Sequence, residues 1–126
     1  MMGMKLLARA SVLLAFGATL LLGLPAKAQS KFEGLWSVLI ITGAGDCDRA
    51  YRYGLRIERG RVLYDGQSGI DISGRVDSSG RVTVTIRRGD QGASGTGRLS
   101  GNSGAGTWKG TSSTGQCSGR WEAERR

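Results

Sequence analysis

The side chains of this chain that could do chemistry are its arginines, its carboxylates, three tyrosines and two cysteines, because histidine is absent. Without histidine the commonest general base is missing, and neither a Ser-His-Asp nor a Cys-His arrangement can be assembled. Paired carboxylates can serve a glycosidase, and the candidates here are Asp46, Asp48, Asp65 and Asp71. These mostly fall at predicted turns or outward positions, where salt bridges to arginine are their expected use. The sequence therefore predicts no catalytic residue and a protein that is not an enzyme.

The two cysteines, Cys47 and Cys117, are the remaining candidates for metal or redox chemistry. Two thiols without histidine or a clustered third ligand do not make a good zinc site, so no metal site is predicted. In an exported protein the default for such a pair is a disulfide. The bond would close a loop of about 70 residues and stabilise the fold by roughly 4 kcal/mol by restricting the unfolded chain.

The first 28 residues have the features of a cleaved secretory signal peptide. Lys5 and Arg9 supply a positive segment, residues 10–24 are largely apolar, and Ala26-Lys27-Ala28 is a small-x-small cleavage motif. The apolar run is too short for a stop-transfer helix, so no stable membrane span is expected. The sequence predicts residues 1–28 as the signal peptide and residues 29–126 as one domain, exported to the periplasm or outside the cell.

Positive charge carried by arginine is the main compositional property of the predicted mature chain. The whole sequence has 18 Lys and Arg against 10 Asp and Glu, and removal of Lys5, Arg9 and Lys27 with the signal leaves 15 against 10. Thirteen of those 15 are arginine, which pairs bidentately with carboxylate and phosphate groups. A basic arginine-rich surface suits anionic partners such as phosphorylated lipid sugars, acidic polysaccharide or nucleic acid. The alternative is the solvated surface of a basic secreted protein that binds none of them.

Strand alternation runs through nearly the whole mature sequence, whereas helical periodicity is missing. Eight short strands at roughly ten-residue spacing, joined by Gly-rich turns, predict an all-β antiparallel meander. A meander with one apolar face best removes its edges by closing into a small barrel, with the end of the first strand beside the start of the last. This closure would place Cys47 and Cys117 at the same end of the barrel, which is consistent with a disulfide.

The alternation also assigns six arginines to the outer face of the predicted barrel, where they form the candidate anionic-ligand site. They are Arg52, Arg56, Arg75, Arg87, Arg98 and Arg120. A Gly-Arg-apolar tripeptide recurs five times, beginning at Gly60, Gly74, Gly80, Gly97 and Gly119. In Tyr51-Arg52-Tyr53 the alternation puts the rings and the guanidinium on opposite faces, so nucleic acid is not favoured as a partner.

The three tryptophans, Trp36, Trp108 and Trp121, each follow a Gly-x pair and are predicted to point inward. Core packing is the expected role, because an indole fills the space that an inward glycine leaves. The alternative role is to line a ligand cavity at a barrel mouth. Phe32 is predicted on the same inward face of the first strand.

Several segments resemble a group of small secreted proteins of Gram-negative bacteria, over nearly the whole mature chain. The matching segments are Phe32-Glu33-Gly34-Leu35-Trp36, Cys47-Asp48-Arg49-Ala50-Tyr51-Arg52-Tyr53, Asp71-Ile72-Ser73-Gly74-Arg75-Val76, Gly95-Thr96-Gly97-Arg98-Leu99-Ser100-Gly101, Gly106-Thr107-Trp108 and Cys117-Ser118-Gly119-Arg120-Trp121. Some proteins of that group are labelled exoproteins involved in haem utilisation or adhesion, which implies a secreted or surface binding role. Haem as a cofactor is implied by the label alone. The mature chain lacks histidine and methionine, so only Tyr51, Tyr53 or Tyr64 could ligate its iron.

The preferred functional prediction is a non-enzymatic binding or adhesion protein whose outward arginines contact an anionic envelope component or extracellular polymer. The first alternative follows from a second resemblance. The size, the signal peptide, the early Gly-x-Trp and the expected disulfide and barrel are similar to the periplasmic inhibitors of secreted metalloproteases. If this chain acts in the same way, its free N-terminal stretch, residues 29–33, would enter the protease active site. The second alternative is a lipocalin-like carrier of a small ligand. It is ranked last because glycine beside tryptophan predicts a filled interior.

Overall fold

The computed structural model describes residues 31–126, and the predicted signal peptide, residues 1–28, lies outside the described residues. This part of the chain forms eight antiparallel strands and no helix. The strands are β1 (Gly34–Ala44), β2 (Ala50–Glu58), β3 (Arg61–Leu63), β4 (Asp71–Val76), β5 (Arg81–Arg88), β6 (Gln91–Ser100), β7 (Ser103–Ser112) and β8 (Gly115–Arg125). Each strand pairs with the next and β8 pairs with β1, which confirms the predicted all-β closed barrel.

The barrel closes at β1, which has a partner on both sides. Ile40 of β1 lies opposite Tyr51 of β2 and opposite Trp121 of β8. Closure pairs the backbone groups that an edge strand would leave open. The closed ladder therefore fixes which side chains point into the barrel and which form its outer wall.

The three tryptophans are buried inside the barrel, as predicted. Trp36 is 1% exposed, and Trp108 and Trp121 are also buried. Each indole N–H group donates to a backbone carbonyl oxygen. Trp36 donates to Phe32 at 2.9 Å, Trp108 to Ile41 at 3.1 Å, and Trp121 to Thr96 at 3.2 Å. A buried indole whose N–H is satisfied by the backbone contributes its full apolar area to the core.

Inward glycines make room for the Trp121 ring. Gly97 of β6 lies opposite Gly106 of β7. A Cβ at Gly106 would lie 2.6 Å from the ring of Trp121, and a Cβ at Gly97 would also run into that ring. The predicted packing of tryptophan into space left by glycine is therefore confirmed at Trp121.

Phe32 closes one end of the barrel, which we call the sealed end. The residue is 4% exposed and lies under the β4–β5 turn, where a Cβ at Gly80 would be 3.2 Å from its ring. The prediction that Phe32 belongs to the first strand is wrong, because β1 begins at Gly34. Gly34 has a φ of 114°, a backbone conformation that favours glycine, and there the chain passes from the sealed end into β1.

Hydrogen bonds fix the short segment before β1 against the sealed end. The Glu33 carboxylate accepts from the backbone N–H of Arg59 at 2.7 Å and of Gly60 at 3.4 Å. The Arg125 guanidinium donates to the carbonyl oxygens of Glu33 and Lys31. The expectation of a free N-terminal stretch is therefore wrong for residues 31–33, and the inhibitor mechanism loses part of the segment that it needs.

The disulfide lies at the opposite end, which we call the open end. Cys47, after β1, bonds to Cys117 of β8 with their Cα atoms 6.1 Å apart. This separation is normal for a disulfide. The predicted Cys47–Cys117 bond and its position beside the β1–β8 seam are both confirmed.

Candidate functional site

Two pairs of arginines lie directly opposite each other on the outer wall near the sealed end. Arg61 of β3 faces Arg75 of β4, and Arg81 of β5 faces Arg98 of β6. Arg75 lies opposite Thr83, only two residues from Arg81, so the two pairs are diagonal neighbours across the β4–β5 ladder. All four arginines are exposed. We call these four residues the arginine face.

The guanidinium groups of the arginine face form no ion pair within residues 31–126, although Glu58 of β2 lies directly opposite Arg61. None of the guanidinium groups of the face lies within 4.0 Å of a carboxylate of that region. Asp77 interacts with Arg81 electrostatically, but its carboxylate accepts hydrogen bonds within the β4–β5 turn, from Ser79 and from the Arg81 backbone. These bonds, the Ser79 hydroxyl first, lower the pKa of Asp77. Like charges directly opposite each other destabilise a sheet, so a bound anion would relieve this face.

A row of threonines leads away from the arginine face around the barrel. Thr83, Thr96 and Thr107 lie opposite one another on β5, β6 and β7, and all three are exposed. Arg75 pairs with the first threonine and Arg120 with the last. Because β4 and β8 are four strand spacings apart in an eight-stranded barrel, the row runs about 19 Å along the curved wall, from Arg75 on one side to Arg120 on the opposite side. The wall therefore presents hydroxyl groups between guanidinium groups.

The six arginines predicted as the ligand site lie on the outer wall, but they do not form one surface. Arg75 and Arg98 belong to the arginine face. Arg56 is partly buried and already paired, with its guanidinium 2.9 Å from Asp65 and 3.9 Å from Glu58. Its charge is therefore largely balanced within the protein.

The other three predicted arginines are spread around the barrel. Arg52 donates to the Ser37 hydroxyl at 2.9 Å, and Arg120 lies 3.7 Å from Glu122. Arg87 has an aspartate directly opposite it on β4. Arg61 of the arginine face resembles Arg87 in this respect, because it lies directly opposite Glu58 of β2. What separates the four members of the face is that within residues 31–126 none of their guanidinium groups forms an ion pair within 4.0 Å.

Arg61 and Arg81 are members of the arginine face that the sequence prediction missed. The signal that marks them is the Gly-Arg-apolar tripeptide. Four of its five copies supply the four arginines of the face, and the fifth supplies Arg120 at the far end of the threonine row. The apolar residue of each copy points inward, so the arginine before it must point outward.

The open end leads into a cavity inside the barrel, which we call the lumen. The lumen has a volume of about 120 Å³ and an almost entirely apolar lining. Its wall is thin on β6, where the inward residues include Ala93 and Gly95. The interior is therefore filled only in part, contrary to the expectation drawn from glycine beside tryptophan.

A wider opening of about 440 Å³, the mouth, lies above the lumen. Its lining includes Tyr51, Tyr53, Tyr64, Asp46, Asp48, Gln67 and Arg88. The tyrosine rings meet edge to face. The ring centroids of Tyr51 and Tyr53 are 5.8 Å apart, and those of Tyr53 and Tyr64 are 5.7 Å apart. This contact holds the aromatic side of the mouth together without filling it.

The polar groups of the mouth are only partly satisfied. The Tyr64 hydroxyl accepts from the backbone N–H of Gln67 at 2.9 Å, whereas in residues 31–126 the hydroxyls of Tyr51 and Tyr53 have no hydrogen-bond partner. Burial raises the pKa of both these tyrosines, and the positive charge of Arg88 opposes that rise. The Asp48 carboxylate adds to the rise in the pKa of Tyr51. Two phenols, the Arg88 guanidinium and the carboxylates of Asp46 and Asp48 therefore line one opening.

Haem, which the resemblance implies, does not fit this donor set. Burial raises the pKa of Tyr51 and Tyr53 and so favours the neutral phenol over the tyrosinate that would ligate iron. Tyr64 already accepts a hydrogen bond from the backbone of its own loop. The lumen is also smaller than the cavity of about 150 Å³ that holds a single benzene ring.

Comparison of the chain with protein-family models, with curated proteins and with solved structures finds no match. In residues 31–126 there is no helix that is long and apolar enough to cross a membrane. The same residues contain no group of three or more cysteine, aspartate or glutamate side chains placed to hold a metal ion. The arginine face and the mouth are therefore the features from which a function can be inferred.

Proposed function

We propose that this protein is an exported, non-enzymatic binding protein that holds an anionic polysaccharide of the envelope or extracellular matrix on its arginine face. The observation that carries the proposal is the direct opposition of Arg61 to Arg75 and of Arg81 to Arg98, four guanidinium groups that form no ion pair within 4.0 Å in residues 31–126. Each pair of like charges costs about 0.2–1 kcal/mol of folding free energy. An acidic polymer offsets that cost because guanidinium groups bind carboxylates bidentately.

The wall beside the arginine face favours a polysaccharide over a nucleic acid. Thr83, Thr96 and Thr107 offer a row of hydroxyl groups that can hydrogen-bond to sugar hydroxyls. Single-stranded nucleic acids instead bind by stacking their bases on aromatic rings. In residues 31–126 the tryptophans are buried and the tyrosines line the mouth or lumen, so the outer wall has no stacking platform.

The predicted signal peptide and the disulfide support an extracytoplasmic setting for this binding. Disulfides persist in oxidising compartments, where anionic envelope polymers are also found. The resemblance to secreted proteins that carry an adhesion label points in the same direction. The proposal therefore joins the arginine face to a class of ligand that is present where the protein is expected to be.

Retention on immobilised polygalacturonate, a carboxylate polysaccharide, tests the proposal, with cell-envelope fragments as the natural counterpart. The protein should bind at about 50 mM salt and elute as salt rises, because exposed charge pairs are screened. The double variant Arg75→Gln, Arg98→Gln should bind roughly tenfold more weakly, since two exposed ion pairs are lost.

The matched control is Arg49→Gln, Arg52→Gln, which removes the same charge from another side of the barrel. This control should retain nearly all of the binding. Equal losses in the two double variants would mean that net charge alone drives retention. No retention of the unmodified protein on either material at low salt would contradict the proposal.

A further inference from the structure

We propose that the open end is a second binding site, for a small amphiphile with one carboxylate head and a short apolar tail. The tail would occupy the lumen, and the head would lie in the mouth against Arg88 and the hydroxyls of Tyr51 and Tyr53. This site is independent of the arginine face, which lies on the outer wall near the other end of the barrel.

The lumen has the surface and size for a short apolar tail. Its lining includes Val38, Leu55, Val84 and Ile86, side chains that are only partly buried although they point inward. Apolar surface left open in this way is stabilised when a ligand covers it. A volume of about 120 Å³ is close to that of the cavity of about 150 Å³ that takes a six-carbon ring, so the tail is a chain or ring of about that size.

The small inward side chains of β6 create this space. Ala93 and Gly95 lie opposite Ile86 and Val84 of β5, which leaves room between that wall and the far side of the barrel. A Cβ at Gly95 would lie 3.3 Å from the Thr107 carbonyl oxygen and 3.5 Å from the Trp121 ring, which is tight but less severe than the overlaps at Gly97 and Gly106. The lumen therefore differs from the packing around Trp121, where an added Cβ would clash.

The mouth supplies donors for a carboxylate head. Arg88 ends β5 on the inward side of the alternation and has no carboxylate within 4.0 Å in residues 31–126. It interacts electrostatically with both Tyr51 and Tyr53, whose hydroxyls have no hydrogen-bond partner there. One guanidinium and two phenol O–H groups can together satisfy the oxygens of one carboxylate.

Within residues 31–126 the lumen opens at the mouth and is covered at the sealed end. At the sealed end the buried ring of Phe32 lies under Gly80, whereas at the open end the loops of the mouth surround a gap. A tail-first ligand therefore stops with its head at the mouth. Asp46 and Asp48 also line that opening, which makes an ammonium head the competing chemistry.

Titration of the purified protein with octanoate, octan-1-ol and octylamine separates these possibilities. The readouts are the heat of binding and the fluorescence of Trp36, Trp108 and Trp121, which line the lumen. Octanoate should bind about tenfold more tightly than octan-1-ol, which lacks the charge that a guanidinium recognises. Octylamine binding as tightly as octanoate would overturn the carboxylate head, and no binding of any of the three would overturn the site.

Two matched pairs of variants assign the binding to these residues. Arg88→Gln should abolish the preference for octanoate over octan-1-ol, whereas Arg87→Gln, its outward neighbour, should keep it. Ala93→Leu should fill the lumen and abolish binding of all three probes, whereas Thr85→Leu, at an exposed position of β5 outside the lining of the lumen and the mouth, should not. If Ala93→Leu does not fold, the Arg88 and Arg87 variants still decide the question. None of these results alters retention on polygalacturonate, so the two proposals fail separately.

Discussion

At the sealed end of the barrel, Phe32 is buried and the polar groups around it are bonded to backbone. At the open end, Tyr51 and Tyr53 are half-buried, their hydroxyls have no hydrogen-bond partner among residues 31–126, and the main constraint is the covalent bond between Cys47 and Cys117. Packing holds one end and a crosslink holds the other. A crosslink stabilises an end of the barrel without filling it, and the lumen beneath the mouth is the result.

The largest expected effect comes from breaking the crosslink of the open end. The variant Cys47→Ala, Cys117→Ala should lose about 4 kcal/mol of unfolding free energy, because its unfolded chain regains the entropy of a loop of about 70 residues. Urea denaturation of oxidised protein and of the variant measures the difference. Reduction of the unmodified protein should have the same effect, since residues 31–126 contain no free cysteine. A loss below about 1 kcal/mol would mean that packing also holds the open end.

Opening the sealed end should have the next largest effect. Phe32→Ala should cost about 3 kcal/mol, because a buried ring is lost and a cavity remains. Tyr53→Phe at the open end is the counterpart and should cost less than about 0.5 kcal/mol, since its hydroxyl has no partner to lose. Thermal unfolding of both variants checks the contrast, and similar losses would remove the distinction between the two ends.

Between the two ends, the interior is tightly packed around Trp121, so an added methyl group there should reduce stability. Gly106→Ala should cost about 2 kcal/mol, because its Cβ would run into the Thr96 carbonyl and the Trp121 ring. Lys109→Ala, an exposed substitution on the same strand, is the control and should be nearly neutral. Equal stability of the two variants would show that the barrel relaxes around an added methyl group.

The smallest effects are the responses to pH, and each end should give a different one. The lowered pKa of Asp77, near the sealed end, contributes stability above its ordinary value of 3.8 that is lost as pH falls through the folded value. The raised pKa values of Tyr51 and Tyr53 contribute stability below 10.0 that is lost as pH rises through the folded values. Between about pH 5.5 and 8 the absence of histidine predicts a flat profile.

Two substitutions assign these responses to their ends. Asp77→Asn should weaken the acid decline and leave the alkaline decline unchanged. Tyr53→Phe should weaken the alkaline decline in stability and leave the acid decline unchanged. Chemical denaturation across the pH range measures both, and a steep change near neutral pH in the unmodified protein would contradict the assignment.

The strands and the disulfide were predictable because apolar and polar residues alternate in almost every strand. On β5, for example, Val82, Val84 and Ile86 point inward while Thr83 and Thr85 point outward. One apolar face and regular turns leave few arrangements other than a closed meander. Closure in turn brings the first and last strands together, and the cysteines with them.

The arginine face was only half predictable, because it depends on the register of a three-residue strand. Alternation shows that Arg75 and Arg98 point outward, but not that Arg61 lies directly opposite Arg75. The repeated Gly-Arg-apolar tripeptide marks all four arginines of the face. The strand pairing is needed to show that they lie next to each other. Like-charged neighbours across a ladder are a tertiary feature, and propensity does not encode them.

The lumen could not be predicted, because its volume is set by side chains that meet across the barrel. Ala93 and Gly95 are small in sequence, but only their distance from the opposite wall shows whether space remains. Phe32 was misplaced for a related reason. Phe32 continues the alternating pattern of the first strand, so the sequence places it in that strand. The change of backbone direction at Gly34, which puts the Phe32 ring beneath the barrel, does not interrupt that pattern.

The pairing of β1 with β8 also governs how the chain can fold. The two strands are separated by almost the whole domain, so the contact that closes the barrel has very high sequence separation. Until Gly115–Arg125 has been synthesised, β1 has one open edge, and its outward side includes the exposed Leu35. A chain in which β8 has not yet paired therefore presents an unpaired strand edge, a feature that makes folding intermediates prone to aggregation. The barrel closes only when β8 pairs with β1, and that pairing brings Cys117 beside Cys47.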